Sequence, residues 1–412
     1  MKNLTISPIL VRTALLTCVA TITGIAHSCS DDIPAPAPEP NTDNSAIFIK
    51  DKEKLATLYS IEDIDGSGRL YEVHYTADYK LDDALNANMS TTMDLFKFVQ
   101  QKLFDSIPAN NSSNMSFTPG CSAFATTNPS NGNFLMGRNY DFCHKAIING
   151  IEQYIPISAF VVHTAPRNGK KSISFVDGYN FGFTQGAYTD NTTDLSMLIG
   201  LPYAALDGIN EDGFAIGVLS LNEAPTMQND PTKTNINTTV AIRLLLDKAS
   251  SVNHAIELLK QYNMRMKNLD DKHNYHFFMA DAHGDYAIVE YTRNTSNPNE
   301  KFPTHMEVFK GNDTLRCVTN FYISPSMVGT TDGWGSDHGK TRYFDMRTTL
   351  LNHNYKLDSD DAMSLLSLVS QEPNVTDPTS FTQWSALYNL SEKSVRLAIL
   401  REYGKIYNFR VE

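Results

Sequence analysis

The chain has 412 residues, of which 41% are hydrophobic and 19% charged, with 22 Gly and 18 Pro. This composition excludes a collagen, a coiled coil and a wholly disordered chain, and the length suggests one large catalytic domain with a smaller segment beside it. Asp and Glu number 46 against 34 Lys and Arg, which leaves a net charge of −12. The acidic balance disfavours a general nucleic-acid surface, so a small molecule or a protein is the expected partner.

The first 28 residues have the pattern of an export signal. Lys2 and Arg12 precede an apolar run over residues 14–25, which is too short for a membrane-spanning helix. The residues that follow lead to Cys29 and resemble a bacterial lipoprotein signal, in which that cysteine is acylated. We therefore expect an exported protein, in the periplasm or attached to the outer membrane of a Gram-negative bacterium. An ordinary cleaved signal is the alternative.

A linker and a folded segment come next. Residues 33–44 are Pro-rich and polar, which favours an extended, solvated tether. Apolar and polar residues alternate over 71–76 and predict a half-buried strand. Thr91 and Asp94 can form a capping box at the start of a helix with one apolar stripe. This segment is therefore predicted to be folded.

Cys121 lies in the first strand of a predicted hairpin, whose strands cover residues 120–126 and 134–142. The hairpin brings Cys121 close to Arg138 and Asp141. A thiol attacks only as thiolate, and its ordinary pKa of about 8.5 must be lowered by a nearby cation or base. Arg138 can supply the cation.

Two groups are candidates for the base that activates Cys121. A papain-like site requires a histidine, for example His144 or His338, to meet the thiol in space. A cut between Gly120 and Cys121 instead frees an α-amine, whose ordinary pKa is about 7.7 to 8.0, on the nucleophile itself. The residues alone leave both open.

These residues resemble the choloylglycine hydrolase family, which includes bile salt hydrolases and penicillin V acylases. Each motif is weak alone, but together they occur in the family's order: CSAF at 121–124, GRNYD at 137–141, GINEDGFAIG at 208–217, VTN at 318–320, TRYF at 341–344 and TQWS at 382–385. The resemblance implies a cysteine N-terminal nucleophile hydrolase of linear amides. It also implies an α+β fold, a four-layer α-β-β-α sandwich of two antiparallel sheets stacked face to face.

The expected organisation follows from the resemblance and the N-terminal patterns. It comprises a signal over 1–28, a linker over 29–54, a pro-segment over 55–120 and a catalytic domain over 121–412. Helices near 241–248 and 253–262 are expected outside the sheets.

The resemblance further implies a role for each matching residue. Cys121 matches the nucleophile, Arg138 the guanidinium beside it and Asp141 the carboxylate that holds the α-amine. Asn320 matches the oxyanion-hole asparagine, and Arg342 the second arginine near the thiol.

The substrate contacts depart from the family pattern. Ser220 stands where the family usually has Asn or Tyr, and Asn222, two residues on, is expected on the same strand face as a replacement. Both are predicted substrate-binding residues. No metal or cofactor is implied.

The predicted function is hydrolysis of the C–N bond of N-acylated amino acids or amines, such as conjugated bile acids, through a Cys121 thioester. A penicillin V acylase, an N-acylethanolamine or ceramide-type amidase, and a non-catalytic ligand-binding lipoprotein of the same fold are alternatives. The expected partner is the small N-acyl amide substrate, with no nucleic acid and with membrane attachment only through the lipid. Acyl transfer and a homo-oligomer stay open.

Overall fold

The computed structural model describes residues 46–106, 120–148, 150–181, 183, 194–265, 273–311, 315–334, 336–372 and 379–412. The predicted signal, Cys29 and most of the predicted linker lie outside these residues. Within the described ranges, no helix is both long and apolar enough to cross a membrane.

The α-helices and strands of the described residues have the following bounds. The α-helices are α1 (Lys52–Tyr59), α2 (Leu81–Asn86), α3 (Thr92–Leu103), α4 (Thr238–Lys248), α5 (Val252–Leu259), α6 (Lys340–Asn352) and α7 (Ser359–Leu368). The strands are β1 (Glu62–Asp63), β2 (Leu70–Tyr75), β3 (Gly120–Thr127), β4 (Phe134–Asp141), β5 (His144–Ile148), β6 (Ile151–Ile155), β7 (Ala159–Thr164), β8 (Ser172–Asp177), β9 (Ala205–Asn210), β10 (Ala215–Leu221), β11 (Asn235–Ile236), β12 (Asn263–Met264), β13 (Asn274–Ala280), β14 (Tyr286–Thr292), β15 (His305–Lys310), β16 (Cys317–Val318), β17 (Thr382–Asn389), β18 (Ser394–Ile399) and β19 (Tyr407–Arg410).

Two sheets form the centre of the fold. The large sheet has the strand order β1-β2-β7-β8-β9-β10-β13-β14-β15, and the small sheet has the order β16-β3-β4-β17-β18-β19. Strands β10 and β13 of the large sheet lie against β3 of the small one. Helix α4 packs on β9 and β10, while α6 and α7 pack on the small sheet. This confirms the predicted four-layer α-β-β-α sandwich.

One strand pair differs from the predicted antiparallel sheets. Strand β2 runs parallel to β7, with Leu70 opposite Ala159 and Tyr75 opposite Thr164. The other strand pairs of the two main sheets are antiparallel. A parallel pair needs a long crossover connection, and the chain between β2 and β7 is long enough to supply one.

The segment before Cys121 is part of this architecture. Helix α3 begins with the predicted capping box, in which the Thr91 side chain accepts from the Asp94 amide. The predicted linker ends too late, because α1 begins at Lys52, before residue 54. The Asp51 side chain accepts from the first free amides of α1 and so sets its start.

Candidate active site

The hairpin of β3 and β4 brings three of the predicted site residues together. Gly120 pairs with Asp141, Cys121 with Tyr140, and Ala123 with Arg138. Because Cys121 and Arg138 are not directly opposite each other, their contact depends on the long arginine side chain.

The Cys121 residue is fully buried and contacts three predicted partners. Arg138 Nη2 lies 3.4 Å from Cys121 Sγ and donates to it. The Cys121 amide donates to Asn320 Oδ1 at 2.9 Å. Arg342 Nη1 donates to the Cys121 carbonyl at 2.6 Å. The thiol therefore faces one guanidinium, and its main chain is held by a second guanidinium and an amide.

Arg138 is itself held by a carboxylate that the sequence analysis did not identify. Asp207 on β9 lies 2.5 Å from Arg138 Nη1, and both side chains are fully buried. Asp207 also accepts from Trp384 Nε1 at 3.0 Å and from the Tyr388 hydroxyl at 2.9 Å. Burial raises the pKa of Asp207, although Arg138 and these donors oppose the rise. The cation at the thiol thus belongs to a buried ion pair.

Gly217 leaves room for this cation between the sheets. A Cβ atom at position 217 on β10 would lie 2.8 Å from Arg138 Cδ and 2.9 Å from its Nε. Such a contact is too close, so a side chain here would force the guanidinium away from Cys121.

Asp141 is bound by groups other than the Cys121 amide in this uncut chain. Its Oδ2 accepts from Arg342 Nη1 at 3.2 Å and from Gln371 Nε2 at 2.8 Å. Its Oδ1 accepts from the Thr382 hydroxyl at 2.5 Å. Gln371 was not identified from sequence, whereas Thr382 opens the TQWS motif. Its position in that motif could have suggested a role.

Asn320 joins the two sheets at Cys121. Its Oδ1 accepts from Arg342 Nη2 at 2.8 Å in addition to the Cys121 amide, and its Nδ2 donates to the Ser220 carbonyl at 2.9 Å. The amide group carries two hydrogens, and within the described residues only one of them, the one donated to Ser220, forms a hydrogen bond. The second hydrogen is the one that could serve an oxyanion.

The expectation that Asn222 shares a strand face with Ser220 is wrong. Strand β10 ends at Leu221, and Asn222 lies beyond it as an exposed residue. Its amide donates to Asp332, and its side chain lies 3.3 Å from His338 Nδ1. The strand alternation therefore does not extend to Asn222. Ser220 reaches the site through its main-chain carbonyl.

The two histidines considered as bases bind carboxylates elsewhere. His144 Nε2 lies 2.6 Å from Asp177 Oδ2, and His338 Nδ1 lies 3.2 Å from Asp332. In the part of the chain that the structure describes, neither ring forms a hydrogen bond with Cys121. This arrangement favours the α-amine over a Cys/His pair.

Burial keeps the Cys121 thiol protonated at neutral pH. It raises the pKa of Cys121 to about 12, and the charges of Arg138 and Arg342 only partly offset it. At neutral pH the uncut chain therefore holds a protonated thiol, which is a poor nucleophile.

We expect Cys121 of the uncut chain to react slowly with iodoacetamide at neutral pH for this reason. A chain cut at Gly120 carries an amine beside the thiol and should react faster. Mass spectrometry of the Cys121 peptide measures both rates. Cys317, whose pKa burial also raises to about 12, is the matched control and should stay slow in both forms. Equal Cys121 rates in the two forms would count against the amine as base.

The part of the chain that begins at Cys121 matches a known protein family. Residues 121–298 match the model of the linear amide C-N hydrolases, choloylglycine hydrolase family. The match confirms the resemblance and the class of linear amide C-N hydrolase that it implies. The match starts at Cys121 and covers less than half of the chain. It ends before Asn320 and Arg342.

Several solved structures are similar to this chain. Two variants of the conjugated bile acid hydrolase from Clostridium perfringens share 15% identity with it, with TM-scores of 0.45 and 0.46, and each match covers 70% of this chain and 92% of the other. Penicillin V acylase from Agrobacterium tumefaciens shares 15% identity at a TM-score of 0.43, over 70% of this chain and 85% of the other. No curated relative matches the sequence.

Proposed function

We propose that the protein is an exported amidase in which Cys121 becomes an N-terminal nucleophile. It hydrolyses the linear amide bond of N-acylated amino acids or amines, such as conjugated bile acids, through a thioester. The observation that carries this proposal is the 3.4 Å contact between Arg138 Nη2 and Cys121 Sγ in a fully buried site. The family match that begins at Cys121 supports the same residue as nucleophile.

The proposed cycle has two steps. The Cys121 α-amine takes the thiol proton, the sulfur attacks the amide carbonyl, and the C–N bond breaks as the amine returns that proton to the leaving nitrogen. Water then attacks the thioester and releases the acid and the thiol. Arg138 stabilises the thiolate, and the second Asn320 Nδ2 hydrogen donates to the oxyanion, a role typically worth about 3 to 4 kcal/mol.

A cut between Gly120 and Cys121 must come first, because an amide nitrogen is no base at neutral pH. In the proposed maturation the Cys121 thiol adds to the Gly120 carbonyl, the acyl group moves from nitrogen to sulfur, and water hydrolyses the thioester. Position 120 suits a residue without a side chain. A Cβ atom there would lie 3.0 Å from the Asp141 carbonyl oxygen and 3.3 Å from Gln371 Nε2.

Export and lipidation at Cys29 are part of the proposal and rest on the signal-like pattern of the first 29 residues. They would place the amidase in the periplasm or on the outer membrane.

The test is a panel of amides with matched variants. Wild-type protein should hydrolyse at least one of conjugated bile acids, N-acyl amino acids, N-acylethanolamines or penicillin V. Cys121→Ser should lose this activity by orders of magnitude, because serine is the weaker nucleophile. Cys317→Ala, which changes another buried cysteine, should retain it, as should His144→Ala and His338→Ala.

The results of this test distinguish an N-terminal cysteine nucleophile from a Cys/His site and from a protein that only binds its ligand. Intact mass should show an active chain that starts at Cys121. Activity in a chain that is uncut at Gly120 would overturn the mechanism. Loss of activity in a folded His144→Ala or His338→Ala protein would instead support a Cys/His site. Ligand binding without turnover of any amide would support the non-catalytic alternative.

A further inference from the structure

We infer that a buried pair, His276 and Glu290, acts as a positioning device for Asn320. The two residues lie on the neighbouring strands β13 and β14 of the large sheet, and both are fully buried. His276 Nδ1 lies 3.1 Å from Glu290 Oε1. Within the described residues, neither side chain forms a hydrogen bond or ion pair with Cys121, and the hydrogen bonds that they do form lead to the segment that carries Asn320. The catalytic part of this inference rests on the proposed function.

His276 holds the residue immediately before Asn320. Its Nε2 lies 2.8 Å from the carbonyl oxygen of Thr319. A carbonyl only accepts, so Nε2 carries a hydrogen and donates it. The ring therefore fixes the main chain one peptide from the amide that contacts Cys121.

Glu290 holds the other end of the same segment. Its Oε1 accepts from the Ile323 amide at 2.7 Å and its Oε2 accepts from the Ser324 amide at 2.9 Å. The pair thus binds residues 319–324 at both ends and ties them to the large sheet. Asn320 lies between these two points of attachment.

The segment is also tied to the second arginine. The Thr319 hydroxyl donates to the Gly339 carbonyl at 3.0 Å, and α6, which begins at Lys340, carries Arg342. Arg342 in turn contacts both Asn320 and the Cys121 carbonyl. A shift of residues 319–324 would therefore disturb two of the groups that surround the nucleophile.

Loss of the imidazole should cause such a shift. It would leave the buried Thr319 carbonyl without this donor and the Glu290 carboxylate without its ring partner, and buried polar groups that lose their partners are costly. The segment would then move to find new partners, and displacement of a catalytic group by about 1 Å can reduce the rate by roughly 100-fold.

The test compares two substitutions at one position. His276→Phe keeps a planar ring of similar volume but has no donor, whereas His276→Gln offers an amide hydrogen toward Thr319. We expect His276→Phe to reduce kcat by roughly 100-fold with little change in KM, because the displaced groups act on the transition state. His276→Gln should recover most of the loss.

Hydrogen exchange supplies a readout that needs no substrate. Exchange at the Ile323 and Ser324 amides, which Glu290 accepts from, should accelerate in His276→Phe and return toward wild type in His276→Gln. Tyr79→Phe is the control, since it removes a buried hydrogen bond from the Tyr79 hydroxyl to Asp247 outside the site. It should lower the melting temperature without changing kcat or exchange at these amides.

The measurements on the His276 variants can overturn the positioning role. His276→Phe with unchanged exchange and unchanged kcat would overturn the positioning role, even with a lower melting temperature. If His276→Phe does not fold, Glu290→Gln takes its place, because it removes one of the two acceptors for the Ile323 and Ser324 amides. Faster exchange at these amides with a lower kcat supports the role, and unchanged exchange and kcat overturn it. If wild-type protein hydrolyses no amide, the proposed function fails, and the exchange comparison still decides the inference.

Discussion

Asp207→Asn is expected to lower the free energy of unfolding by about 3 to 5 kcal/mol. Removing one partner of a buried ion pair leaves the other charge uncompensated, and here that charge is the Arg138 guanidinium between the sheets. The substitution also removes the partner that directs Arg138 toward the Cys121 sulfur. Amide hydrolysis and the proposed cut at Gly120 should therefore both slow markedly.

Urea unfolding of Asp207→Asn measures the stability change. Asp360→Asn is the matched control, because its pair with Arg396 is largely exposed, with Asp360 86% accessible, and exposed pairs contribute little. The control should unfold close to wild type and keep its activity. An Asp207→Asn protein as stable as the control would show that Arg138 does not depend on this carboxylate.

The segment before Cys121 should stay bound to the catalytic chain after a cut at Gly120. Strand β2 forms six residue pairs with β7 inside the large sheet, and Leu70, Tyr71 and Val73 are fully buried. Each such side chain stabilises the association by about 1.5 to 3 kcal/mol. The Tyr75 hydroxyl adds a buried bond to the Ile199 carbonyl at 2.7 Å. Cutting one peptide bond removes none of these contacts.

Size-exclusion chromatography and denaturing electrophoresis test this retention. The two fragments should elute together under native conditions and separate in urea. In cells, the fragment that starts at Cys121 should follow the proposed Cys29 lipid into the membrane fraction, and Cys29→Ala should release both fragments together. Recovery of the catalytic fragment alone in the soluble fraction of wild-type cells would contradict retention.

Local sequence patterns were sufficient to predict elements whose residues are close together in the sequence. The hairpin of β3 and β4 has short strands around a polar turn, and the α3 cap needs only Thr91 and Asp94. The structure also brings Cys121, Arg138, Asp141, Asn320 and Arg342 into one connected set of contacts. The expectation for that set came from ordered motifs, since no periodicity relates residues 121 and 342.

The parts that sequence could not supply depend on strand pairing over long distances. Asp207 meets Arg138 only because β9 and β4 lie in facing sheets, and neither residue has a local signal for the other. The parallel alignment of β2 has the same origin, because strand direction is set by the connection and not by alternation. Asn222 was misplaced because the pattern does not reveal that β10 ends at Leu221.

The wide spacing of these contacts has a consequence for biosynthesis. Cys121 contacts Asn320 and Arg342, and Asp141 accepts from the hydroxyl of Thr382, which lies 241 positions after it in the chain. A nascent chain therefore carries the scissile peptide long before it carries the groups around it. Any scission at Gly120 that depends on these groups must wait until residue 382 has been synthesised and β17, which begins there, has folded against β4. A precursor truncated before residue 382 should remain in one piece.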